Sequence, residues 1–195
     1  MRRFTAPLLL VACAAPLAGC GVNAIPTAEE NAKARLADLQ SQYQRRADLI
    51  PNLVSTVKAA GAQEKDILVQ VTQARGAAQS TQLSGDDLKD PAKVAAFQRA
   101  QGQVTVSLQR LQEAYPELKS QGNYTTLMSQ LEGTENRIGV ARNDYNAAVQ
   151  SYNTRIRTFP DAIGARIFYG AKPMVPFAVT TPGADQHAPS VNFGG

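Results

Sequence analysis

Apolar side chains recur along most of this chain at alternating steps of three and four. Leu36, Leu39, Tyr43, Ile50, Val54 and Val57 form a first stripe, which Leu68, Val71 and Ala74 continue. That spacing places them on one face of a helix, and such a face must be buried against a neighbour. Thr27 followed by Ala28-Glu29-Glu30 reads as a helix start, with Thr27 as N-cap and the acids near the positive end of the dipole. Pro51 interrupts the stripe and predicts a kink or a turn, because it removes one backbone hydrogen bond and crowds the turn before it. Gly61 is a second weak point. Residues 79–90 are rich in Ser, Thr, Gly and Asp and read as a loop. It closes on Asp90-Pro91, an N-cap followed by the residue favoured at the first helical position.

Val94, Phe97, Val104, Leu108, Leu111, Tyr115 and Leu118 make the next stripe, whose regular geometry should end near Tyr115 because Pro116 restricts the residue before it. Gly122-Asn123 completes the following turn. From Tyr124, the positions Leu127, Leu131, Thr134, Ile138, Ala141, Tyr145, Ala148 and Tyr152 alternate steps of four and three, with Phe159 seven residues beyond. A period of 3.5 predicts long helices packed nearly parallel or antiparallel. A helix from Tyr124 to Phe159 would be a rod of roughly 54 Å, ended by Pro160. The fold class is therefore all-α: an antiparallel bundle of three or four long helices, the count depending on whether Pro51 kinks the first helix or turns it. Beyond Pro160 the chain is rich in Pro and Gly, interleaved with Phe168, Tyr169, Phe177 and Phe193, so the first part, Ile163 to Phe177, is expected to fold back over the bundle.

The N-terminus changes the picture from a free bundle to an anchored one. Arg2 and Arg3 precede a short apolar run and then Leu17-Ala18-Gly19-Cys20, the order a bacterial lipoprotein precursor requires. The run is too short to span a bilayer stably, which makes it a signal sequence. The Cys20 thiolate can take a diacylglyceryl group as a thioether, and small residues before it admit the peptidase. The expected organisation is a signal peptide over 1–19, a tether over 20–27 from acylated Cys20, a bundle over 28–160 and an irregular segment over 161–195. The expected location is the cell envelope on the extracytoplasmic side. In a diderm cell Gly21 after the cysteine favours the outer membrane, facing the periplasm.

Charge and cysteine content exclude several functions. Of the 20 Lys and Arg, Arg2 and Arg3 leave with the signal while all 16 acids stay, so 18 minus 16 leaves +2 and no electrostatic footprint for nucleic acid. Cys13 also leaves with the signal, so no thiol remains free for disulfide, metal or redox chemistry. His187 stands alone in the tail without a spacing partner that would make it a metal ligand or base. No glycine-rich phosphate loop or serine elbow is present, and no cofactor or metal is expected. Glu64 and Asp66 read as solvated carboxylates on a helix surface.

Two constellations stand out as candidates for partner binding. Tyr145-Asn146 and Tyr152-Asn153 repeat at seven residues, placing both tyrosines on one face and both asparagines on its edge. They fit either a core with satisfied hydroxyls or a polar groove that captures a peptide or headgroup. Arg45-Arg46, with Asp48 and Asn52 beside Pro51, offers guanidinium donors to backbone carbonyls released by the proline, to Glu135 on a facing helix, or to lipid phosphates and an acidic partner. Glu135, Arg137 and Arg142 suit pairing at i to i+7 and between helices along the edges of the seam.

These residues also carry a family resemblance. Gln44-Arg45-Arg46-Ala47-Asp48-Leu49-Ile50-Pro51-Asn52-Leu53-Val54, then Glu113-Ala114-Tyr115-Pro116-Glu117-Leu118-Lys119, then Glu135-Asn136-Arg137-Ile138 through Ala141-Arg142, Tyr145-Asn146, Tyr152-Asn153 and Phe159-Pro160 resemble the LemA family. The likeness spans roughly Ala34 to Phe177, with a weaker echo at Val191 to Phe193. It implies an extracytoplasmic helical bundle held at a membrane by its N-terminus, with no established enzymatic activity. Many relatives use an N-terminal transmembrane helix, which the lipoprotein signal would replace here. The chain departs from the family at Leu36, where Trp is usual, and at Ala59, Ala60 and Gln63, where a Gly-Tyr and a His are common; Gln63 cannot bind a metal or titrate as His would. The expectation is a non-enzymatic envelope scaffold or adaptor for another membrane or envelope protein. Its rivals are a ligand- or peptide-binding module with a groove between helices, and a hydrolase whose acid pair is not evident in the sequence.

Overall fold

The computed structural model describes residues 23–61 and 65–178, and the regular structure there is helical. Residues 1–19, Cys20, Gln63, Glu64, His187 and Val191 to Phe193 lie outside the described residues. Four helices form an antiparallel bundle: α1 (Ala24–Ala59), α2 (Lys65–Ser80), α3 (Pro91–Ala114) and α4 (Gly122–Arg155). A short α5 (Asp161–Ile167) follows, and the 3-10 turns Asp86–Lys89 and Pro116–Ser120 make the connections before and after α3. α1 packs chiefly on α4, and α2 on α3. Ile25 at the start of α1 shares a core cluster with Tyr152 near the end of α4, while Ile50 and Leu53 share another with Leu131 and Tyr124.

α1 starts ahead of the expected N-cap. Thr27 lies inside it, and its hydroxyl donates back to the Asn23 carbonyl at 2.7 Å instead of capping. Burial of Ile25, 1 % exposed, outweighs the capping preference, and Pro26 is tolerated because N–H groups of a first turn have no helical partner. Residues 24–27 of the expected tether are thus helical. Asp90 does cap α3, accepting from the Ala92 amide at 2.9 Å with Pro91 at the first position.

Pro51 neither ends nor divides α1, which runs through it as one helix of 36 residues, roughly 54 Å long. The proline ring faces solvent, and the Ala47 carbonyl that its missing N–H would have satisfied accepts from Arg75 Nε of α2 at 2.7 Å. Arg75, not Arg45 or Arg46, takes the released carbonyl. Arg75→Ala removes the charged donor from that acceptor and should cost about 2 kcal/mol. A thermal melt should then fall by roughly 4–8 °C, and an unchanged midpoint would show that water replaces the guanidinium. α1 ends instead at Ala59, just before Gly61, whose φ of 88° lies in the left-handed region.

α4 begins at Gly122, so Gly122-Asn123 belongs to the helix and not to a turn. It ends at Arg155, short of Pro160, and Phe159 is 82 % exposed and off the stripe. Within the helix the expected seam is buried at Leu131, Thr134, Ile138, Tyr145, Ala148 and Tyr152. The Glu135 to Arg142 pairing along α4 is not formed: Glu135 crosses to α1, Arg137 is exposed, and Arg142 Nε is buried without a partner.

Two apolar clusters divide the bundle along its length. One joins the first half of α1 to Phe97, Ile138, Tyr145, Tyr152, Met174 and Phe177, and the other joins the second half of α1 to Val71, Leu108, Leu111 and Leu131. Of the two, only the second receives side chains from α2, which is too short to reach the other end. Leu83, Leu88 and the chain after α5 fill the space α2 leaves.

Candidate functional site: an arginine belt and a clamped C-terminal strap

Between the two clusters lies a polar belt centred on Arg46, which is 2 % exposed. Its Nη1 donates to Glu135 Oε1 at 2.7 Å and to Thr105 Oγ1 at 3.0 Å, and its Nη2 donates to the carbonyl of Gln101 at 3.1 Å and to Gln101 Oε1 at 2.7 Å. The guanidinium also lies 5.1 Å from the centre of the Tyr43 ring. A buried charge requires this degree of satisfaction, since each donor left bare in an apolar interior costs more than a formed bond returns. Burial pushes the Tyr43 hydroxyl above its ordinary pKa, against the opposing field of Arg46 and Arg142.

Two open clefts flank this belt. One, of about 360 Å³, lies between α1, α2 and α3 and includes Gln40, Gln44, Arg75 and Gln101. The other, of about 220 Å³, includes Gln98, Glu135, Arg142 and Ala178. Among the described residues no group of His, Cys, Asp and Glu is placed to hold a metal ion.

The Tyr-Asn repeat of α4 performs a different task. Asn153 donates to the Met174 carbonyl at 2.8 Å and accepts the Met174 amide at 2.8 Å. Seven residues earlier, Asn146 does the same for Phe177 at 2.9 and 2.8 Å. The Tyr152 and Tyr145 hydroxyls donate to the carbonyls of Lys172 at 3.1 Å and Val175 at 3.0 Å. A heptad rises about 10.5 Å along a helix, and three extended residues cover roughly 10 Å. The repeat of seven on α4 therefore matches a repeat of three in the strap, residues 172–177, which runs antiparallel to it.

From 173 to 177 each strap N–H is accounted for, for a reason visible in the sequence. Positions 173 and 176 are prolines with no N–H, Met174 and Phe177 use the asparagines, and the Val175 amide donates to the Leu88 carbonyl at 2.8 Å. Met174 and Phe177 are 2 % and 3 % exposed. Phe177 stacks on Tyr145 with ring centres 4.6 Å apart and on Phe97 at 5.8 Å, and Phe97 meets Tyr43 edge-on at 5.5 Å. An unbroken series of contacts thus connects the strap to Arg46. Burial holds the Tyr145 and Tyr152 hydroxyls above their ordinary pKa, in the protonated form the strap carbonyls need.

The sequence places Tyr145, Asn146, Tyr152 and Asn153 together correctly, but the peptide they hold is the chain's own. Arg46 and Glu135 do meet, whereas Arg45, Asp48 and Asn52 are exposed on α1, with Asp48 accepting from Gln44 at 2.7 Å. Gln101, Thr105 and Arg75 are not singled out by the pattern. Gln101 had a legible signal, because it occupies the seam position between Phe97 and Val104 that an apolar residue would normally take.

The LemA family profile matches residues 35–193, which takes in the whole belt, the Tyr-Asn repeat and the strap. The chain belongs to the LemA family. Among characterised proteins it is similar to magnetosome protein MamQ 2 of Paramagnetospirillum magneticum and magnetosome protein MamQ of Magnetospirillum gryphiswaldense. Each is 29 % identical over 157 residues, covering 71 % of this chain. The chain spans 58 % of the length of these relatives. Because the family match continues past α4, the strap is part of the matched LemA unit and not an appendage to it.

Proposed function

We propose that this LemA-family bundle is an envelope scaffold or adaptor, anchored through acylated Cys20 on the extracytoplasmic side of a membrane and performing no chemical step of its own. The observation that carries this reading is the commitment of the polar groups to internal work. Tyr145, Asn146, Tyr152 and Asn153 hold the strap, and Arg46 and Glu135 hold each other. The groove beside the Tyr-Asn repeat is therefore filled by the chain's own strap. The surface proposed for a partner is the outer stripe of α1 at Arg45, Asp48 and Asn52, spaced three and four apart on one exposed face. The relatives' name, magnetosome protein, names a structure and not a reaction, which accords with a role in assembly.

The anchor is supported by Leu17-Ala18-Gly19-Cys20. Cys20→Ser should abolish incorporation of labelled palmitate and lower the share of the chain that stays in the membrane fraction through a high-salt wash. Undiminished retention of the variant would reject acyl anchoring. The adaptor role is tested by a photo-crosslinking residue at Asp48 in living cells. A discrete adduct with one envelope protein is expected, and the absence of any adduct at Arg45, Asp48 and Asn52 would remove the partner surface.

A further inference from the structure

Seven large apolar side chains are exposed among the described residues, and five of them, Phe159, Ile163, Ile167, Phe168 and Tyr169, fall within eleven positions around α5. Phe159, Ile167 and Phe168 are 82 %, 70 % and 69 % exposed. Ile163 and Ile167 stand four apart and so share one face of α5, while Ala165 on the other face is buried in the core with Ile25. A monomeric protein in water gains nothing from this concentration of bare apolar surface, which marks a contact.

The charges around the patch are one-sided. Between residues 155 and 172 the cations are Arg155, Arg157, Arg166 and Lys172, and the only acid is Asp161. Asp161 is paired with Arg155 at 3.4 Å, leaving Arg157, Arg166 and Lys172 exposed. The acids nearest in the first turns of α1 are also occupied, Glu29 by Lys33 and Lys89 and Glu30 by Lys33. Aromatic and aliphatic side chains rimmed by free cations complement a surface that is apolar inside and anionic outside.

The position of the patch agrees. Gly164 of α5 lies against Ile25, whose Cδ1 is 3.9 Å from where a β-carbon would sit, so the patch lies beside the first turn of α1. Cys20 precedes Ala24 by four residues, a reach of at most roughly 14 Å.

We infer that the Phe159–Tyr169 patch is a second membrane contact, inserting its apolar side chains into the interface of an anionic phospholipid bilayer while Arg157, Arg166 and Lys172 meet headgroup phosphates. The bundle then stands on the membrane at a fixed end, with the 360 Å³ cleft and the α1 stripe held away from it. The placement rests on the anchor at Cys20; the patch chemistry does not.

The chain contains no tryptophan, so Phe168→Trp introduces a single indole at an exposed site. Val140→Trp is the control, since Val140 is 62 % exposed and lies fifteen residues, roughly 22 Å, along α4 from Arg155. The full chain, carrying its own signal, is mixed with or reconstituted into phosphatidylcholine–phosphatidylglycerol vesicles containing brominated lipid. In the Phe168→Trp chain the indole should emit at shorter wavelength and be quenched at least twofold, while in the Val140→Trp chain it should report water in both preparations. An unquenched indole in Phe168→Trp overturns the inference, as does a blue shift without lipid quenching, which means that a second copy of the chain covers the patch. Adding Arg157→Glu and Arg166→Glu to Phe168→Trp should lower the quenching at least twofold, and unchanged quenching would remove the headgroup contact. The mass of the acyl adduct on Cys20, read on the same chains, reports the anchor separately. An acylated chain that floats while the Phe168→Trp indole stays unquenched keeps the anchor and discards the patch, and quenching of the Phe168→Trp indole in a chain without the acyl adduct keeps the patch and discards the anchor.

Discussion

Asn146→Ala combined with Asn153→Ala should free the strap from α4, raising amide exchange at Met174 and Phe177 by about a hundredfold. Four hydrogen bonds disappear, each with a net value of about 1 kcal/mol, and the partners left behind are backbone groups of a half-buried segment. The stabilisation lost is roughly 3–4 kcal/mol, which supports the expected change in exchange. Because Phe177 stacks between Tyr145 and Phe97, its release also uncovers the first core cluster, so protease should cut between Ala171 and Phe177 in the variant and not in the parent. Equal protection in both chains would mean that the prolines and the buried Met174 and Phe177 hold the strap without the asparagines. The clamp has a pH dependence of defined sign. The Tyr145 and Tyr152 pKa values are raised in the folded chain, so their stabilisation is complete below the unfolded tyrosine value of about 10 and declines as pH rises above it toward the folded values. The strap should loosen in strong alkali before it responds to acid.

Glu135→Ala should destabilise the bundle by about 3 kcal/mol, seen as a fall in melting temperature of roughly 6–12 °C. The loss does not come from Glu135, which is partly exposed, but from Arg46, whose charge stays in the interior with only the neutral Gln101, Thr105 and Tyr43 beside it. Arg46→Met tests the same point from the other side. Removing charge and donors together, at similar length, should cost less than removing the acid alone, because nothing ionic is left unpaired in the core. A larger loss in Arg46→Met than in Glu135→Ala would show that the belt contributes through packing over Tyr43 more than through its ion pair.

The helical architecture was legible because burial follows periodicity. Leu108, Ile138 and Tyr145 are buried at the positions the steps of three and four assign to them, at 8 %, 4 % and 0 % exposed. The same arithmetic failed at Phe159, since a heptad count holds only while the helix continues and α4 ends at Arg155. The capping preference failed at Thr27, and at Pro51, where the pattern left a kink or a turn open, the helix continues without a turn. A tertiary contact bears on each: Ile25 is buried in the core with Ala165 of α5 in the first, and Arg75 is supplied to the Ala47 carbonyl in the second.

By itself the sequence determined which faces are buried, where α3 begins and near which residue it ends, and that Arg46 and the Tyr-Asn repeat are special, since these depend on spacing and on chemistry carried by neighbouring residues. Only the tertiary structure decided what the special residues hold. Arg46 takes partners from 55 and 89 residues away, and Asn146 binds a segment 31 residues further on. No periodicity encodes such pairings, because they arise when separate helices and an extended strap are brought into register, and the free energy of a hydrogen bond depends on which groups meet away from water.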